Sequence, residues 1–348
     1  MQKFYVNFRT PVGVLSMPWL LGILAFHVAF SPGVAEADEP VSTPSSNRME
    51  AASMLSATLE NNEGLRSYDV LIEFRTDRFR PDGMLFVEVE TQRFSVDRDA
   101  EKWLFVSSRK SEGVPEGSVV SRPDGSVLIQ GIGYANGQGW HIPANAIDFP
   151  DQSQKNSPQY YLSFVGAPDL RYLGLMSYPA GFLNRVDDMF KEHTAAQTSP
   201  GSDVALIESK DHVLVYSDKP YGKSPGQFAR KQWVFTNGDL VPSRKQFLIC
   251  KHKEPGPGHL SRLLQSENYN WIDKNGVFVP ERIIGQHATV QRMPDGTSKE
   301  YIYDSEVKFT WLRVNEPLEE KHFSRDVWRS ESDILEFIAE GQKDIRSK

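Results

Sequence analysis

Few residue patterns in this chain have the types and spacing that chemistry needs, and each fails a specific requirement. Gly222-Lys223-Ser224-Pro225-Gly226 matches G-x-S-x-G. A nucleophile elbow takes a backbone N–H from the residue after its serine to meet the oxyanion, and Pro225 has none. Gly222-Lys223-Ser224 also resembles the end of a phosphate-binding loop, but the position of its first glycine is Ser217. Gly131, Gly133 and Gly137 come near a dinucleotide fingerprint with one residue too many. Asn136-Gly137 before Trp140 reads better as a hairpin turn. The eight histidines are scattered, and none stands in H-x-x-x-H. Cys250, His252 and His259 are the nearest approach to a metal set, and one thiolate with two imidazoles lacks a fourth ligand. Asp187-Asp188 and Glu319-Glu320 are adjacent pairs, which do not flank one scissile bond. Arg230 to Trp233 places only two cations beside an aromatic ring, in a chain of net charge -7, so nucleic acid is not an expected partner. The expectation is a protein with no catalytic residues, no metal site and no cofactor.

The elements that would have to position a site follow from periodicity. Arg48 to Asn62 carries Met49, Ala52, Leu55 and Leu59 at helical spacing, with Gly64 as a stop. From Tyr68 the period changes to two: Val70, Ile72 and Phe74 share one face of a strand, as do Leu85, Val87 and Val89. Further strands are expected at Trp103–Val106, Val127–Ile129, Val213–Tyr216, Gln246–Cys250 and Tyr301–Trp311. Pro-Asp-Gly at Pro81, Pro123 and Pro294 predicts tight reversals, because Pro presets φ and Gly accepts positive φ. Phe182 to His193 reads as a short amphipathic helix, and Glu331 to Gln342 as a terminal one built on Ile334, Leu335, Phe337 and Ile338.

The N-terminus carries an address. Lys3 and Arg9 precede the apolar run Trp19 to Phe30, then Ser31-Pro32-Gly33 breaks it, and Ala35-Glu36-Ala37 supplies small residues. This is the pattern of a secretory signal peptide over 1–37, cleaved near Ala37. The run is shorter than the roughly 20 apolar residues of a spanning helix. The protein is therefore expected to be extracytoplasmic, with only transient membrane contact unless the segment stays uncleaved. A Pro/Ser-rich linker over 38–47 would follow, then a single domain over 48–330, then the C-terminal helix and tail over 331–348.

One internal repeat stands out. Trp233-Val-Phe-Thr-Asn237-Gly238-Asp-Leu-Val241-Pro242-Ser-Arg244 matches Trp271-Ile-Asp-Lys-Asn275-Gly276-Val-Phe-Val279-Pro280-Glu-Arg282. Asn-Gly favours a type I′ turn, so each copy predicts a strand, a tight turn and a second strand. Pro242 and Pro280 cannot donate to a ladder and are expected at an edge or bulge. Consecutive hairpins imply an antiparallel meander.

These features together resemble the periplasmic lipoprotein-carrier (LolA/LolB-like) superfamily. The resemblance covers roughly 48–325: the opening helix, a strand after Leu65-Arg66-Ser67-Tyr68, the repeated Trp … Asn-Gly … Val-Pro-x-Arg hairpins, and Val314-Asn315-Glu316-Pro317-Leu318 before Phe323. It implies a mainly β (α+β) fold: an antiparallel open or half-closed β-barrel with N-terminal, middle and C-terminal helices packed on it. It also implies apolar walls that hold acyl chains. This chain departs by extra sequence around 107–210, and no residue carries over as an acyl contact. Strand alternation alone gives the candidate ligand-binding wall: Phe74, Leu85, Val87, Phe247 and Phe309. Two functions remain: a non-catalytic carrier of a lipid, acyl chain, lipoprotein or other hydrophobic ligand, or an envelope structural or protein-interaction domain whose core is closed.

Overall fold

The computed structural model describes residues 46–79, 85–112, 128–142, 170, 173–175, 204–220, 226–251, 261–292, 296–324 and 330–346. The signal segment, the linker up to residue 45, the helix expected at Phe182–His193 and the Pro-Asp of each Pro-Asp-Gly lie outside them.

Twelve described strands form one antiparallel sheet. They are β1 (Ser67–Phe79), β2 (Leu85–Asp97), β3 (Lys102–Glu112), β4 (Leu128–Ala135), β5 (Gln138–Ile142), β6 (Val204–Glu208), β7 (His212–Pro220), β8 (Phe228–Thr236), β9 (Arg244–Cys250), β10 (Ser261–Lys274), β11 (Val277–Arg292) and β12 (Ser298–Val314). The order is β5-β4-β3-β2-β1-β12-β11-β10-β9-β8-β7-β6, so every pair of sequence neighbours except β5 and β6 is adjacent and one long closure joins β1 to β12. β5 and β6 are the two ends and do not pair, which leaves the barrel open. The expected hairpin at Asn136-Gly137 is present, both residues at positive φ between β4 and β5. The strands expected from alternation are found within longer ones, save that Val127 of Val127–Ile129 lies outside the described residues, whereas β6 was not expected.

The helix α1 (Ser46–Glu63) lies on the inner face, touching β6 at one end of the sheet and β11 in its middle. Ile132 and Tyr134 of β4 share one buried cluster with Val204 and Leu206 of β6 and with Leu55 of α1, so the sheet curves to bring its two ends to the same helix. Ala51, Ala52 and Leu55 join Val70, Ile72, Phe94, Phe105, Trp233, Phe235, Phe309 and Trp311 in one buried cluster. Met49, expected in that stripe, is 68 % exposed and belongs to the solvent side. Polar groups of α1 fix its seat: Thr58 donates to Leu240 O, Asn61 bonds both the carbonyl and the N–H of Phe278, and Asn62 donates to Leu173 O.

A second helix, α2 (Glu331–Arg346), covers the outer face of β1–β4. Ser330 and Asp333 cap it reciprocally, and Ile334, Phe337 and Ile338 meet Leu71, Leu104, Val106 and Trp140. Leu335, expected in the same stripe, is exposed.

The Trp/Asn-Gly repeat has a mechanical role. Trp271 Nε1 donates to Pro242 O and Trp311 Nε1 donates to Pro280 O, both at 2.7 Å. Each hairpin's proline carbonyl thus receives the indole of the next unit along the sheet. The second copy is a two-residue turn with Asn275 at φ 54° and Gly276 at φ 79°, and Pro280 sits opposite Trp271 at a bulge. The first copy is not a tight hairpin. β9 begins only at Arg244, because residues 237–243 fold over to give α1 and Trp271 their acceptors. Trp311→Phe removes one such bond and strands a carbonyl, so it is expected to cost about 1–2 kcal/mol. Urea denaturation of the variant beside wild type checks this.

Candidate binding site on the inner face

The inner face divides into two regions. Under α1 it is closed: Trp233, Phe235, Phe94 and Phe105 have no exposure, and Phe309 is stacked on Trp311 at 3 % exposure. Beyond α1 the same strands carry polar and charged groups among half-buried rings. Register places Phe74 beside Glu90 and Val307. It places Lys231 between Ser217 and Phe247, and Lys245 between Trp233 and Glu267.

Lys219, Lys231 and Lys245 therefore run diagonally across β7, β8 and β9 on one face. Lys245 is 5 % exposed. Burial lowers its pKa, opposed by Glu267 across the β9–β10 pair. Lys231 is brought down to about 8, first by burial and then by the charges of Lys245 and Lys219. Glu267 accepts from Gln265 Nε2 at 2.8 Å and from Tyr269 Oη at 2.5 Å. Burial and Glu267 push the Tyr269 phenol well above its ordinary value, so it remains a donor. On the next strands Gly285 makes room for polar neighbours. A Cβ there would fall 2.4 Å from Ser305 Oγ, which itself lies 3.3 Å from His287 Nε2.

The opposite side of the barrel is internally compensated. Glu90 accepts from Arg109 at 2.8 Å and from Gln92 at 2.9 Å. Glu88 stands 3.6 Å from the Arg109 guanidinium.

The five expected wall residues separate. Phe74 and Phe247 are half-buried on the inner face, Phe74 packed against the core under α1, and Phe309 is sealed within that core. Val87 is on the wrong face for a wall. It pairs with Asp77, in phase with Leu71 and Arg93 under α2, because β2 enters its pairing one residue out of phase with the apolar run of β1. Leu85 pairs with Phe79 at the far end of β1, and its side chain is outside the described ones. The lysine row was not foreseen. Its members are 12 and 14 residues apart and meet only through strand register.

No described groups of three or more His, Cys, Asp or Glu are placed to hold a metal ion. Cys250 is buried, and its expected companions His252 and His259 lie outside the described residues. No described helix is long and apolar enough to cross a membrane.

No family model matches the chain, and no curated protein matches it. Among solved structures it is similar to a LolA superfamily protein from Nitrosomonas europaea, at 15 % identity and TM-score 0.33 over 79 % of this chain and 98 % of that one. It is similar to a domain described as an outer membrane lipoprotein-sorting protein from Vibrio parahaemolyticus, at 10 % identity and TM-score 0.32 over 81 % of this chain and 100 % of that one. A DUF1329 family protein from Desulfovibrio piger matches at 8 % identity and TM-score 0.32, over 80 % and 98 % of the two chains. The sheet order and the placement of α1 and α2 establish an antiparallel open barrel by themselves.

Proposed function

We propose that this is an exported, non-catalytic binding protein that holds a lipid, acyl chain or other hydrophobic ligand against the inner face of its open barrel. One observation supports it above the others. The core under α1 is sealed, yet Phe74, packed against it, and Phe247 on the same face are only half-buried. A barrel that only packed its own core has no need of half-buried rings there. The leader-like sequence before Ala37 supports an extracytoplasmic location, where a lipoprotein or membrane lipid is the available apolar cargo.

Native mass spectrometry of protein purified without detergent, with solvent extraction of what co-purifies, tests this. A stoichiometric apolar adduct is expected, either as purified or after incubation with envelope lipid extract. An unliganded mass in both states overturns the reading. The interaction-domain alternative is then favoured by Ile302 and Val290, diagonal neighbours on the outer face of β11 and β12 that are 63 % and 55 % exposed.

A further inference from the structure

We propose that Asn237-Gly238 is a site of spontaneous modification: the side-chain amide of Asn237 is lost to the backbone nitrogen of Gly238, and the isoaspartate that follows loosens the seat of α1. This does not depend on the binding role proposed above.

The chemistry belongs to the residue pair. The Gly238 amide nitrogen, once deprotonated by hydroxide, attacks Asn237 Cγ. An N–Cγ bond forms, the Cγ–Nδ2 bond breaks, and the side-chain nitrogen takes a proton from water and leaves as ammonia. The five-membered imide then adds water at either carbonyl. One opening gives aspartate. The other gives isoaspartate, whose main chain runs through Cβ and Cγ. Glycine suits the attack because no side chain shields its nitrogen. Ring closure needs the peptide after the asparagine to turn until its nitrogen meets Cγ, so the surrounding fold decides which Asn-Gly reacts.

The chain has three such pairs, and all three are exposed. Two are locked. Asn136 and Asn275 stand at positive φ in two-residue turns, closed directly by the pairs Ala135–Gln138 and Lys274–Val277. Asn275 is held further. Its Nδ2 donates to Val314 O at 2.8 Å and to Glu316 Oε1 at 3.2 Å, and the Gly276 N–H donates to Asp273 Oδ1 at 2.9 Å. Nucleophile and leaving group are both engaged there. Asn237 differs. In its pair only Gly238 is at positive φ, 91°, and the Asp239 N–H closes the turn on Thr236 O at 3.0 Å, as in a type II turn. The β8–β9 ladder resumes only at Val234–Arg244, so no strand pair clamps this peptide from the far side. Asn237 Nδ2 donates to Lys210 O at 2.8 Å, an exposed bond that water can replace.

The product reaches the core through the connection that Asn237 opens. Residues 237–243 carry Leu240 O, which accepts from Thr58 Oγ1 at 3.0 Å, and Pro242 O, which accepts from Trp271 Nε1 at 2.7 Å. Isoaspartate inserts one main-chain atom ahead of both acceptors and removes the donor to Lys210 O. Both acceptors then shift from their donors, and Thr58 of α1 loses its anchor to this connection.

The test ages the full protein in mildly alkaline buffer and follows each Asn-Gly by peptide mass mapping. Labelling with an isoaspartyl methyltransferase tells isoaspartate from aspartate. Conversion at Asn237 is expected to run ahead of Asn136 and about tenfold or more faster than at Asn275, the rate factor of the extra hydrogen bonds that must break there. Asn237→Gln keeps an amide but closes no five-membered ring, and circular dichroism checks its fold. Aged wild type should exchange the amide hydrogens of α1 faster than fresh protein, and aged Asn237→Gln should not. Asn237 unchanged at the end of ageing, or slower than Asn136 or Asn275, overturns the site. Converted protein whose α1 exchanges no faster than before overturns the link to α1.

Discussion

Arg93→Ala is expected to destabilise the fold by about 3–5 kcal/mol, the cost of leaving one partner of a buried ion pair alone. Arg93 and Asp69 are 4 % and 2 % exposed. Their contact is a two-toothed one, Nε to Oδ1 at 3.0 Å and Nη2 to Oδ2 at 2.6 Å, and Ser95 Oγ donates to the same carboxylate. The third guanidinium nitrogen donates to Phe337 O at 2.5 Å, and Arg93 Cζ lies 3.7 Å from the Phe337 ring centre. One arginine therefore ties β1 and β2 to α2 by charge, hydrogen bond and stacking. Removing it strands Asp69 and loosens α2. The double variant Asp69→Leu/Arg93→Met should recover most of the loss, since an apolar pair of similar volume carries no desolvation cost. Breaking the exposed Arg262–Glu300 pair, each 46 % exposed, should cost no more than about 1 kcal/mol. Urea denaturation of the variants gives the comparison, and an Arg93→Ala cost within about 1 kcal/mol would sink the claim that this pair locks α2.

Trp233→Ala should be as damaging, about 3–5 kcal/mol. Trp233 has no exposure and sits between Val215 and Lys245 where β7, β8 and β9 meet the core under α1. Truncation leaves a large void among residues held by strand pairing, which cannot collapse freely. Trp233→Phe should cost far less. The indole N–H of Trp233 finds no acceptor among the described residues, so losing it forfeits no bond. The order Trp233→Ala worst, Trp311→Phe intermediate and Trp233→Phe least, read from denaturation midpoints, separates loss of volume from loss of a hydrogen bond. A Trp233→Phe cost equal to that of Trp233→Ala would show that the site depends on the indole N–H.

Much of the barrel was legible because local chemistry dictates it. Asn136-Gly137 and Asn275-Gly276 take the positive φ that few other pairs accept, and each makes the expected turn. Pro280 was readable as lying at an edge or a bulge because it has no hydrogen to give to the ladder, and it lies at a bulge. The first repeat copy misled for the converse reason. Its Asn-Gly is present, but tertiary acceptors at Leu240 and Pro242 outweigh the local preference for a short turn. The site was much less legible. Alternation says that Val87 and Val89 share a face, not which one, and only the pairing of Val87 with Asp77 decides. Lys231 and Lys245 look like ordinary surface lysines in the sequence. Their company arises from the β8–β9 register, which the seven-residue connection between those strands sets. Asp69, Arg93 and Phe337 lie on three separate elements and leave no spacing signal.

The central claim is that ligand lies on the inner face beyond α1. Photo-crosslinking tests it most directly, using a fatty acid with a diazirine at its chain end and mapping the adducts by tandem mass spectrometry. Adducts are predicted on the strands carrying Phe74 and Phe247, and not at Val87 or at the α1-covered Trp233. Adducts confined to Val87, or to the exposed Ile302 and Val290 of the outer face, would contradict the account.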